Sequence, residues 1–390
     1  MSDTGFDTFQ DRYARHRLID WWDQEKLCAA KVLVVGAGAL GNEVIKNLAL
    51  LGVGKMVIID FDRVDVSNLS RSVLFRDSDL GSWKATVAAK VAKELNPDID
   101  TEGVIGDIEF DIGVGEAKNF NVILGCLDSV NARWAVNRLS IAASVPWLNG
   151  GINPIAGEVS LFVPGEGPCY ECTMTDTMWA RFNERYSCTK LLKSLPPRTM
   201  PTTISLASLT AAIQVQEALM VIHHLGSRSD GLMPGQKLFV SVKPYRLFTV
   251  EQIRDPECMA HEENRLVMEV DAAPADLTAT NLFLLFEKQD IKVDTMEIRF
   301  DVLAGLTCSV CGECDVCIPI KKASPSVIQC PICKSDRLPY IVNRIERGDR
   351  LSGIPLSQLG IPYQAMLTFS GGSEKYVVAL TKKRGGQHGK

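Results

Sequence analysis

The 390-residue sequence has no long apolar run and no excess of positive charge. A membrane-spanning helix needs about 20 consecutive, mostly apolar residues, and no stretch of the chain approaches that length. The formal net charge of −5 at pH 7 disfavours a nucleic-acid partner, because nucleic acids select basic surfaces. The N-terminus mixes acids, bases and Trp21-Trp22 without the apolar core of a secretory signal. We therefore expect a cytoplasmic protein with no membrane and no nucleic-acid partner.

Internal repeats and low-complexity segments are also lacking, but cysteine is plentiful, with 12 residues. Without an export signal, cysteines more often serve metal sites and reactive chemistry than disulfides. The length suggests two or three domains, and the composition changes near residues 255–263. We therefore expect an N-terminal domain over residues 1–262 and a C-terminal domain over residues 263–390.

The chain is organised around residues 31–60, which read as a strand, a glycine turn, a helix and a second strand. The apolar run Val32–Val35 leads into the turn, and a second apolar run ends on Asp60. Glycines let the backbone approach a phosphate, and the N-terminus of the following helix attracts anions. A carboxylate at the position of Asp60 can accept hydrogen bonds from ribose hydroxyls. The turn residues expected to contact the nucleotide are Gly36, Gly38, Ala39 and Gly41.

Alone, this turn predicts a dinucleotide oxidoreductase, but the residues that follow Asp60 favour ATP. They place polar and cationic groups directly behind the ribose carboxylate. A nicotinamide needs little added positive charge, whereas attack on the α-phosphate of ATP builds negative charge on the phosphoryl oxygens and on pyrophosphate. The side chains concerned are Asp62, Asn68, Arg71 and Lys84.

Strands alternate with helices along the first part of the chain, which predicts an α/β, doubly wound, Rossmann-like and mostly parallel sheet. One buried-strand pattern, residues 121–127, ends at Asp128, so Asp128 should lie at the ligand-binding edge of the sheet. Periodicity disappears between Pro164 and Pro201, and such long irregular stretches are usually functional or disordered. Further predicted helices lie at 21–30, 82–95, 130–143, 203–225 and 277–289, and further strands at 101–105, 158–163, 237–242, 246–250, 295–303, 364–369 and 375–380.

Together these features resemble the ubiquitin-activating and ThiF/MoeB/HesA adenylyltransferase superfamily over about the first two-thirds of the chain. Three positions depart from the family pattern, Ala39, Ser72 and Trp83, and none removes a charged group that the chemistry needs. The loop 165–201, which carries Cys188, is short and holds no large inserted domain, and this makes the chain most similar to activating enzymes of prokaryotic ubiquitin-like conjugation. The motifs that carry the resemblance are Arg12-Tyr13-Ala14-Arg15, the glycine turn, the block at 60–71, Lys84 before Ala85, Leu127-Asp128-Ser129 with Ala132-Arg133, and Pro168-Cys169-Tyr170-Glu171-Cys172.

The resemblance implies adenylation of the C-terminal glycine carboxylate of a small ubiquitin-like β-grasp protein by ATP. Cations and Mg²⁺ would offset the charge of the transferring phosphoryl group. Arg15 would reach the ATP of a partner subunit in a homodimer, although its segment alone indicates only a solvated arm. The other implied roles are ribose binding by Asp60, phosphate binding by Asn68, Arg71 and Lys84, and Mg²⁺ binding by Asp128.

In conjugating members of the superfamily, a cysteine takes the acyl group as a thioester and passes it to a conjugating enzyme. The candidate is Cys188, in the irregular loop 165–201, where Arg185, Lys190 and Lys193 would favour its thiolate. The alternative is an ordinary loop thiol in a sulfur-carrier adenylyltransferase. A non-enzymatic scaffold is a further alternative, which the retained charged residues disfavour.

A first cysteine pattern combines Cys169-x-x-Cys172 with Cys258 and His261. The resemblance implies that Cys258-x-x-His261 stands where the family has its second cysteine pair, with His261 in place of a cysteine, and a Cys₃His set is an ordinary zinc site. We expect a structural zinc here. The alternative is a surface histidine and no metal.

A second cysteine pattern has two outer Cys-x-x-Cys pairs separated by 18 residues, which is typical of a zinc ribbon. The inner pair Cys314 and Cys317 complicates the choice of ligands, and a redox pair is the alternative. Residues 356–380 weakly resemble the ubiquitin-fold domain that recruits the conjugating enzyme, so we expect a small zinc-containing, candidate β-grasp C-terminal domain. The chosen zinc ligands are Cys308, Cys311, Cys330 and Cys333.

Overall fold

The computed structural model describes residues 11–184, 201–223, 231–261, 265–372 and 374–384. The α-helices are α1 (Gln24–Ala29), α2 (Ala39–Leu51), α3 (Lys84–Leu95), α4 (Ile108–Asp111), α5 (Val114–Ala117), α6 (Val130–Ala143), α7 (Asp176–Glu184), α8 (Ile204–His223) and α9 (Ala279–Glu287). The strands are β1 (Lys31–Val35), β2 (Lys55–Asp60), β3 (Asp100–Ile105), β4 (Val122–Cys126), β5 (Trp147–Ile152), β6 (Ala156–Phe162), β7 (Gln236–Val242), β8 (Tyr245–Glu251), β9 (Arg265–Val270), β10 (Thr295–Cys308), β11 (Gly312–Pro319), β12 (Leu338–Glu346), β13 (Met366–Gly371) and β14 (Glu374–Leu380).

The first sheet has eight strands in the order β3-β2-β1-β4-β5-β6-β7-β8. The strands from β3 to β5 in this order pair in parallel, and β6, β7 and β8 add antiparallel pairs. This confirms the predicted α/β fold with a mostly parallel sheet. The strand order changes direction between β1 and β4, and doubly wound folds bind ligands at such a switch point.

Helices cover both faces of this sheet, which explains why its strands are apolar almost throughout. Side chains of α2, α3 and α8 pack on one face, and those of α4, α5 and α6 pack on the other. The four residues Val122 to Gly125 of β4 are all buried. The core therefore fixes the strand ends, where the polar residues are found.

Helix α8 requires a correction to the expectation that no stretch could span a membrane. By length and composition it is apolar enough to do so, and half of its most apolar window is buried. The amide of Gln214, in the middle of the helix, donates hydrogen bonds to the carbonyls of Gly125 and Leu148 at 3.1 and 2.9 Å. Because buried core helices pass the same test, this is weak evidence for a membrane span.

Two predicted boundaries in the first unit also change. The first helix begins at Gln24 rather than near Trp21, because the Asp23 carboxylate caps it by accepting from two backbone N–H groups at 3.1 Å. The loop 165–201, predicted to be irregular, contains α7. This helix has only nine residues, too few for a clear periodic signal, and Met178 and Trp179 pack it against the core beside α6.

The second sheet has six strands, in the order β11-β10-β13-β14-β9 with β12 paired to β10. Helix α9 packs on it through Phe283 and Phe286, which both contact Phe369. The predicted strands 364–369 and 375–380 are confirmed as β13 and β14, which pair as an antiparallel hairpin, and β14 pairs in parallel with β9. The β-grasp assignment remains a prediction.

The two sheets are joined by packing as well as by the chain. Phe110 of α4 belongs to the core of the second sheet, and its ring lies 4.5 Å from that of Phe300. The backbone N–H of Gly115 donates to the carbonyl of Gln364 at 2.8 Å. Residues just after β3 therefore contact the second unit.

Candidate nucleotide site and metal clusters

A cavity of about 400 Å³ opens at the carboxyl ends of β1, β2 and β4. Among the described residues, all but two of the predicted nucleotide contacts line it. The two exceptions are Gly41 and Arg15. The predicted residues that line the cavity are Gly36, Gly38, Ala39, Asp60, Asp62, Asn68, Arg71, Lys84 and Asp128.

The glycine turn is shaped by backbone contacts that leave no room for side chains. Gly36 has φ of +95°, and a Cβ on it would lie 2.5 Å from the carbonyl oxygen of Cys126. A Cβ on Gly41 would lie 2.0 Å from the carbonyl oxygen of Gly36, so Gly41 shapes the turn without lining the cavity. Gly38 has nothing within 4 Å of its Cβ position, which leaves its backbone open to a ligand.

Asp60 is held at the end of β2 by two backbone groups. Its carboxylate accepts from the N–H groups of Ala37 and Asp62, each at 2.7 Å. Burial raises the pKa of this carboxyl above its usual value, and the hydrogen bond from Ala37 and the charge of Lys84 act in the opposite direction. The carboxylate is therefore fixed beside the glycine turn, where it can receive ribose hydroxyls.

Lys84 is the first residue of α3 and is buried, with its side chain 10% exposed. Its ammonium group lies 2.8 Å from the carboxylate of Asp62, whose side chain is 54% exposed. The chain order places Asp62 just after β2, so the pair joins two cavity walls. A buried ammonium with one solvated partner can redirect donors to a phosphate.

Asn68 and Arg71 lie on a short turn that is stabilised by hydrogen bonds between its own residues. The Asp65 carboxylate accepts from the N–H of Ser67 at 2.8 Å, and the Asn68 side chain accepts from the N–H of Asp65 at 3.0 Å. The hydrogen bond from Ser67 lowers the pKa of Asp65. The Arg71 guanidinium donates to the carbonyl of Ser67, which orients Arg71 at the cavity.

Asn42, which no sequence motif indicated, ties this turn to the glycine turn. Its buried side chain donates to the carbonyl of Ala37 at 2.7 Å and accepts from the N–H of Leu74 at 2.9 Å. A polar residue directly after Gly41, on the inner face of α2, was the available signal. Asn42 thus couples the glycine turn to the turn with Asn68 and Arg71, and both turns line the cavity.

The part of the cavity around the glycine turn, Asp60 and Lys84 is called the nucleotide half here. The cavity also extends onto β5, β6 and β7, and the sequence did not predict this second half. Gly151, Glu158 and Phe239 line it there. The Glu158 carboxylate pairs with the Lys237 ammonium at 3.2 Å. These residues meet through long-range strand pairing, which no local pattern announces. Arg133 of α6 lies between the two halves.

Asp128 and Arg15 differ in their relation to the cavity. Asp128 follows β4 and is exposed at the cavity wall. The arm that carries Arg15 lies elsewhere, because the hydroxyl of Tyr13 accepts from the amide of Asn96 at 2.7 Å, beyond the C-terminal end of α3. In an α/β unit that end lies opposite the carboxyl ends of the strands. Arg15 is therefore remote from the cavity of its own chain.

The predicted nucleophile Cys188 lies outside the described residues, together with Arg185, Lys190 and Lys193. One described cysteine, Cys126, does line the cavity. Burial raises the pKa of the Cys126 thiol far above its usual value, and a thiol of that kind is a poor nucleophile at neutral pH.

The first cysteine cluster brings its four predicted ligands together. The Sγ atom of Cys169 lies 3.8 Å from those of Cys172 and Cys258, and the Nε2 atom of His261 lies 3.2 Å from the Sγ of Cys172. All four ligand atoms lie within 4.8 Å of one another. This donor set is compatible with zinc.

Glu171, between two of these cysteines, ties the cluster to α6. Its buried carboxylate accepts from the Arg138 guanidinium at 2.5 and 2.6 Å and from the Asn137 amide at 3.2 Å. The Asn137 side chain also accepts from the N–H of Tyr170 at 2.9 Å. Helix α6 begins two residues after Asp128, so the cluster braces the helix that leads from the cavity.

The second cluster joins the two outer cysteine pairs. The Sγ atoms of Cys308, Cys311, Cys330 and Cys333 all lie within 4.8 Å of one another, and those of Cys308 and Cys333 are 3.4 Å apart. The cluster lies between β10 and β12, in chain inserted ahead of the β13 and β14 hairpin. A Cys₄ set of this geometry is compatible with zinc.

The doubly wound sheet, the glycine turn and the acidic and basic residues at its switch point define a nucleotide-binding α/β protein. Residues 11–266 match the ThiF family. The chain therefore belongs to the ThiF family.

Similar proteins are named either as activating enzymes of protein modifiers or as a sulfur carrier protein adenylyltransferase. The SAMP-activating enzyme E1 of Haloferax volcanii is 30% identical over 251 residues, which are 64% of this chain and 87% of that protein. The SUMO-activating enzyme subunit 2 of Dictyostelium discoideum is 37% identical over 149 residues, 38% of this chain and 22% of that protein. The sulfur carrier protein adenylyltransferase of Thermus thermophilus is 35% identical over 170 residues, 42% of this chain and 63% of that protein.

Solved structures agree on the fold. The crystal structure of E. coli MccB with ATP aligns with a TM-score of 0.54 and 24% identity, and the alignment covers 66% of this chain and 75% of that one. The likeness concerns the fold alone.

Proposed function

We propose that this chain uses ATP to adenylate the C-terminal carboxylate of a ubiquitin-like β-grasp protein. The observation that carries the proposal is one continuous cavity with two unlike halves. One half has Asp60, Arg71 and Lys84 around a glycine turn, and the other continues onto β5 and β6. Such a cavity has room for a nucleotide and for the end of a second substrate. The names of the relatives agree with this chemistry.

In the proposed reaction, a carboxylate oxygen of the carrier protein attacks the α-phosphorus of ATP. A new oxygen–phosphorus bond forms while the bond from the α-phosphorus to the bridging oxygen breaks, and pyrophosphate leaves with the electron pair. No general base is needed, because a carboxylate is ionised at neutral pH. Arg71 and Lys84 offset the charge on the phosphoryl oxygens and on pyrophosphate, and Asp60 holds the ribose.

The proposal includes Mg²⁺ and zinc. Asp128 supplies a carboxylate at the cavity wall, the kind of ligand that Mg²⁺ takes in nucleotide sites, and an ion held there would supply positive charge near the phosphates. Both cysteine clusters have four protein ligands, the number expected of closed structural zinc sites. The zinc of the first cluster would hold α6 in place, and the zinc of the second cluster would hold the segment between β10 and β12.

A homodimer follows from the position of Arg15 if this residue contacts ATP. Its arm is fixed at the end of the domain opposite the cavity, so a contact with ATP would have to be made in the cavity of a second copy. The proposal also divides the chain into residues 1–262 and 263–390. The C-terminal unit would recruit a conjugating enzyme, and the protein would act in the cytoplasm.

The finer proposal adds a second step at Cys188. The thiolate sulfur attacks the acyl carbon of the adenylate, the carbon–sulfur bond forms, and the bond to the AMP oxygen breaks. A conjugating enzyme then takes the acyl group. The alternative is a sulfur-carrier adenylyltransferase without this step, which the similarity to the Thermus protein favours.

Intact mass spectrometry separates these two functions. The enzyme is incubated with Mg-ATP and a Gly-Gly-terminated β-grasp protein encoded near its gene, as wild type and as Cys188→Ala. We expect an adduct of carrier mass that thiol removes and that the variant lacks. Production of AMP and pyrophosphate without any adduct would contradict the thioester step and support the sulfur-carrier function.

A further inference from the structure

Arg133 is a cation at the middle of the cavity to which the adenylation chemistry described above gives no role. It projects from α6 and lines the cavity together with Asp128 and Gly151. Its Nη2 group donates to the carbonyl of Leu127 at 2.7 Å. This bond holds the guanidinium beside the end of β4, at the boundary between the nucleotide half and the half formed by β5 and β6.

Arg133 forms no ion pair within the part of the chain that the structure describes. Its buried Nε atom has no hydrogen-bond partner there. The hydroxyl of Tyr170 lies beside the guanidinium, and the positive charge of Arg133 acts against the burial that raises the pKa of this hydroxyl. The Glu158 carboxylate is paired with Lys237 instead. The guanidinium therefore keeps donors and charge for a ligand.

Gly151 keeps the space in front of Arg133 open. A Cβ on Gly151 would lie 3.0 Å from Arg133 Nη2 and 3.0 Å from Glu158 Oε1. Both side chains thus converge over the bare backbone of β5. A narrow site of this kind admits a chain end with small residues and excludes bulky ones.

The reaction requires an anionic carboxylate to approach an anionic phosphate, so the nucleophile needs its own cation. Arg71 and Lys84 lie on the nucleotide side, one on the turn after Asn68 and the other paired with Asp62. Arg133 lies on the side of β5, from which the carrier would enter. A planar guanidinium also fits a carboxylate with two parallel hydrogen bonds.

We propose that Arg133 binds the terminal carboxylate of the carrier tail and orients it beside the α-phosphate. This inference rests on the proposed adenylation. It assigns a substrate-binding residue to the half of the cavity beyond the nucleotide, with Gly151 as the position that keeps the site open to a slim chain end.

The test compares two forms of one probe, a Gly-Gly-terminated β-grasp protein encoded near the gene, made as the free acid and as the C-terminal amide. Binding is measured by calorimetry in the presence of a non-hydrolysable ATP analogue. We expect wild type to prefer the acid by about tenfold or more, since a charge-assisted hydrogen bond is lost in the amide. Arg133→Ala should bind both forms alike, and Arg133→Lys should keep part of the preference.

The control is Arg246→Ala, which removes an arginine from the exposed strand β8 and should keep the full preference. Unchanged affinity of Arg133→Ala for the ATP analogue shows that the variant is folded. Persistence of the acid preference in Arg133→Ala would overturn the assignment, and so would an equal loss of analogue binding. If wild type itself does not distinguish acid from amide, the role of Arg133 fails, whereas the adenylation proposal fails only if the acid form also gives no carrier-dependent exchange of pyrophosphate into ATP.

Discussion

The two sheets of this protein form their candidate ligand sites by different means. At the first sheet, buried apolar strands end together and place Asp60, Asp128 and the glycine turn around one cavity. At the second sheet, the cysteine cluster lies in an inserted segment in which Val310 and Ile332, inside the two Cys-x-x-Cys pairs, are 70% and 79% exposed. The geometry of the first site depends on the packed core beneath it. The segment around the second site has little core, so its structure depends on the four cysteine ligands.

The comparison shows why the two sites should respond differently to change. A site at strand ends is sensitive to backbone contacts, because the positions of its polar groups follow from packing. A site made by four thiolates is sensitive to loss of one ligand, because metal binding supplies the folding free energy locally. The first cysteine cluster is intermediate, since Glu171 joins it to α6.

The largest effect is expected from Gly41→Ala at the first site. The added methyl would lie 2.0 Å from the carbonyl oxygen of Gly36, so the turn must move. We expect the free energy of unfolding to fall by about 3 kcal/mol and ATP binding to be lost, as measured by denaturant unfolding and calorimetry. Gly38→Ala is the matched control, because its methyl meets no protein atom within 4 Å. Equal stability of the two variants would contradict the backbone account.

A second variant, Cys330→Ser, tests the independence of the second site. We expect zinc content to fall by about one ion per chain and amide exchange to accelerate between β10 and β12. ATP affinity should stay within about twofold, because no residue of this cluster lines the cavity among the described residues. Cys314→Ser, outside the four clustered thiols, should keep the metal. Loss of ATP binding in Cys330→Ser would show that the two sites are coupled.

Glu171→Gln tests whether the first cluster braces the cavity. The change removes the charge that the Arg138 guanidinium binds twice, and Arg138 is partly solvated, with 31% of its side chain exposed. We expect a loss of about 1–2 kcal/mol in unfolding free energy, together with faster amide exchange in α6. Lys90→Ala, which breaks an exposed ion pair on α3, should cost less than about 0.5 kcal/mol. Unchanged exchange in α6 would remove the bracing role.

The smallest effect concerns the pH dependence of the turn that carries Asn68. Hydrogen bonding lowers the pKa of Asp65 below 3.8, so the ionised form is favoured in the folded turn. Its stabilising contribution is present above that value and is lost as pH falls through the lower, folded-state pKa. The protection factor of the Ser67 amide, which is the exchange rate of an unstructured peptide divided by the rate that NMR measures at the same pH, should fall on acidification. The variant Asp65→Asn keeps an acceptor and should lack this dependence.

Much of the first site could be predicted because its signals are local. The glycine turn before a helix occupies a few consecutive residues, and so does an acid at the end of an apolar run. Each pattern can therefore be recognised without knowledge of the tertiary structure. Spacing likewise identified the cluster of Cys308, Cys311, Cys330 and Cys333, whereas the family resemblance joined Cys258 and His261 to Cys169 and Cys172. Arg133 and Glu158 could not be assigned roles, because they approach Gly151 only through the pairing of β5 with β6. Strand β5 itself was missed, since Asn149 and two glycines interrupt its apolar pattern.

Carrier-dependent exchange of labelled pyrophosphate into ATP tests the central claim most directly. Wild type, Lys84→Ala and Asp128→Asn are compared with and without the Gly-Gly-terminated β-grasp protein. The account predicts exchange that requires the carrier and falls by at least about 100-fold in Lys84→Ala, because charge on the phosphoryl oxygens is no longer offset. Exchange without the carrier, or undiminished exchange in both variants, would contradict it.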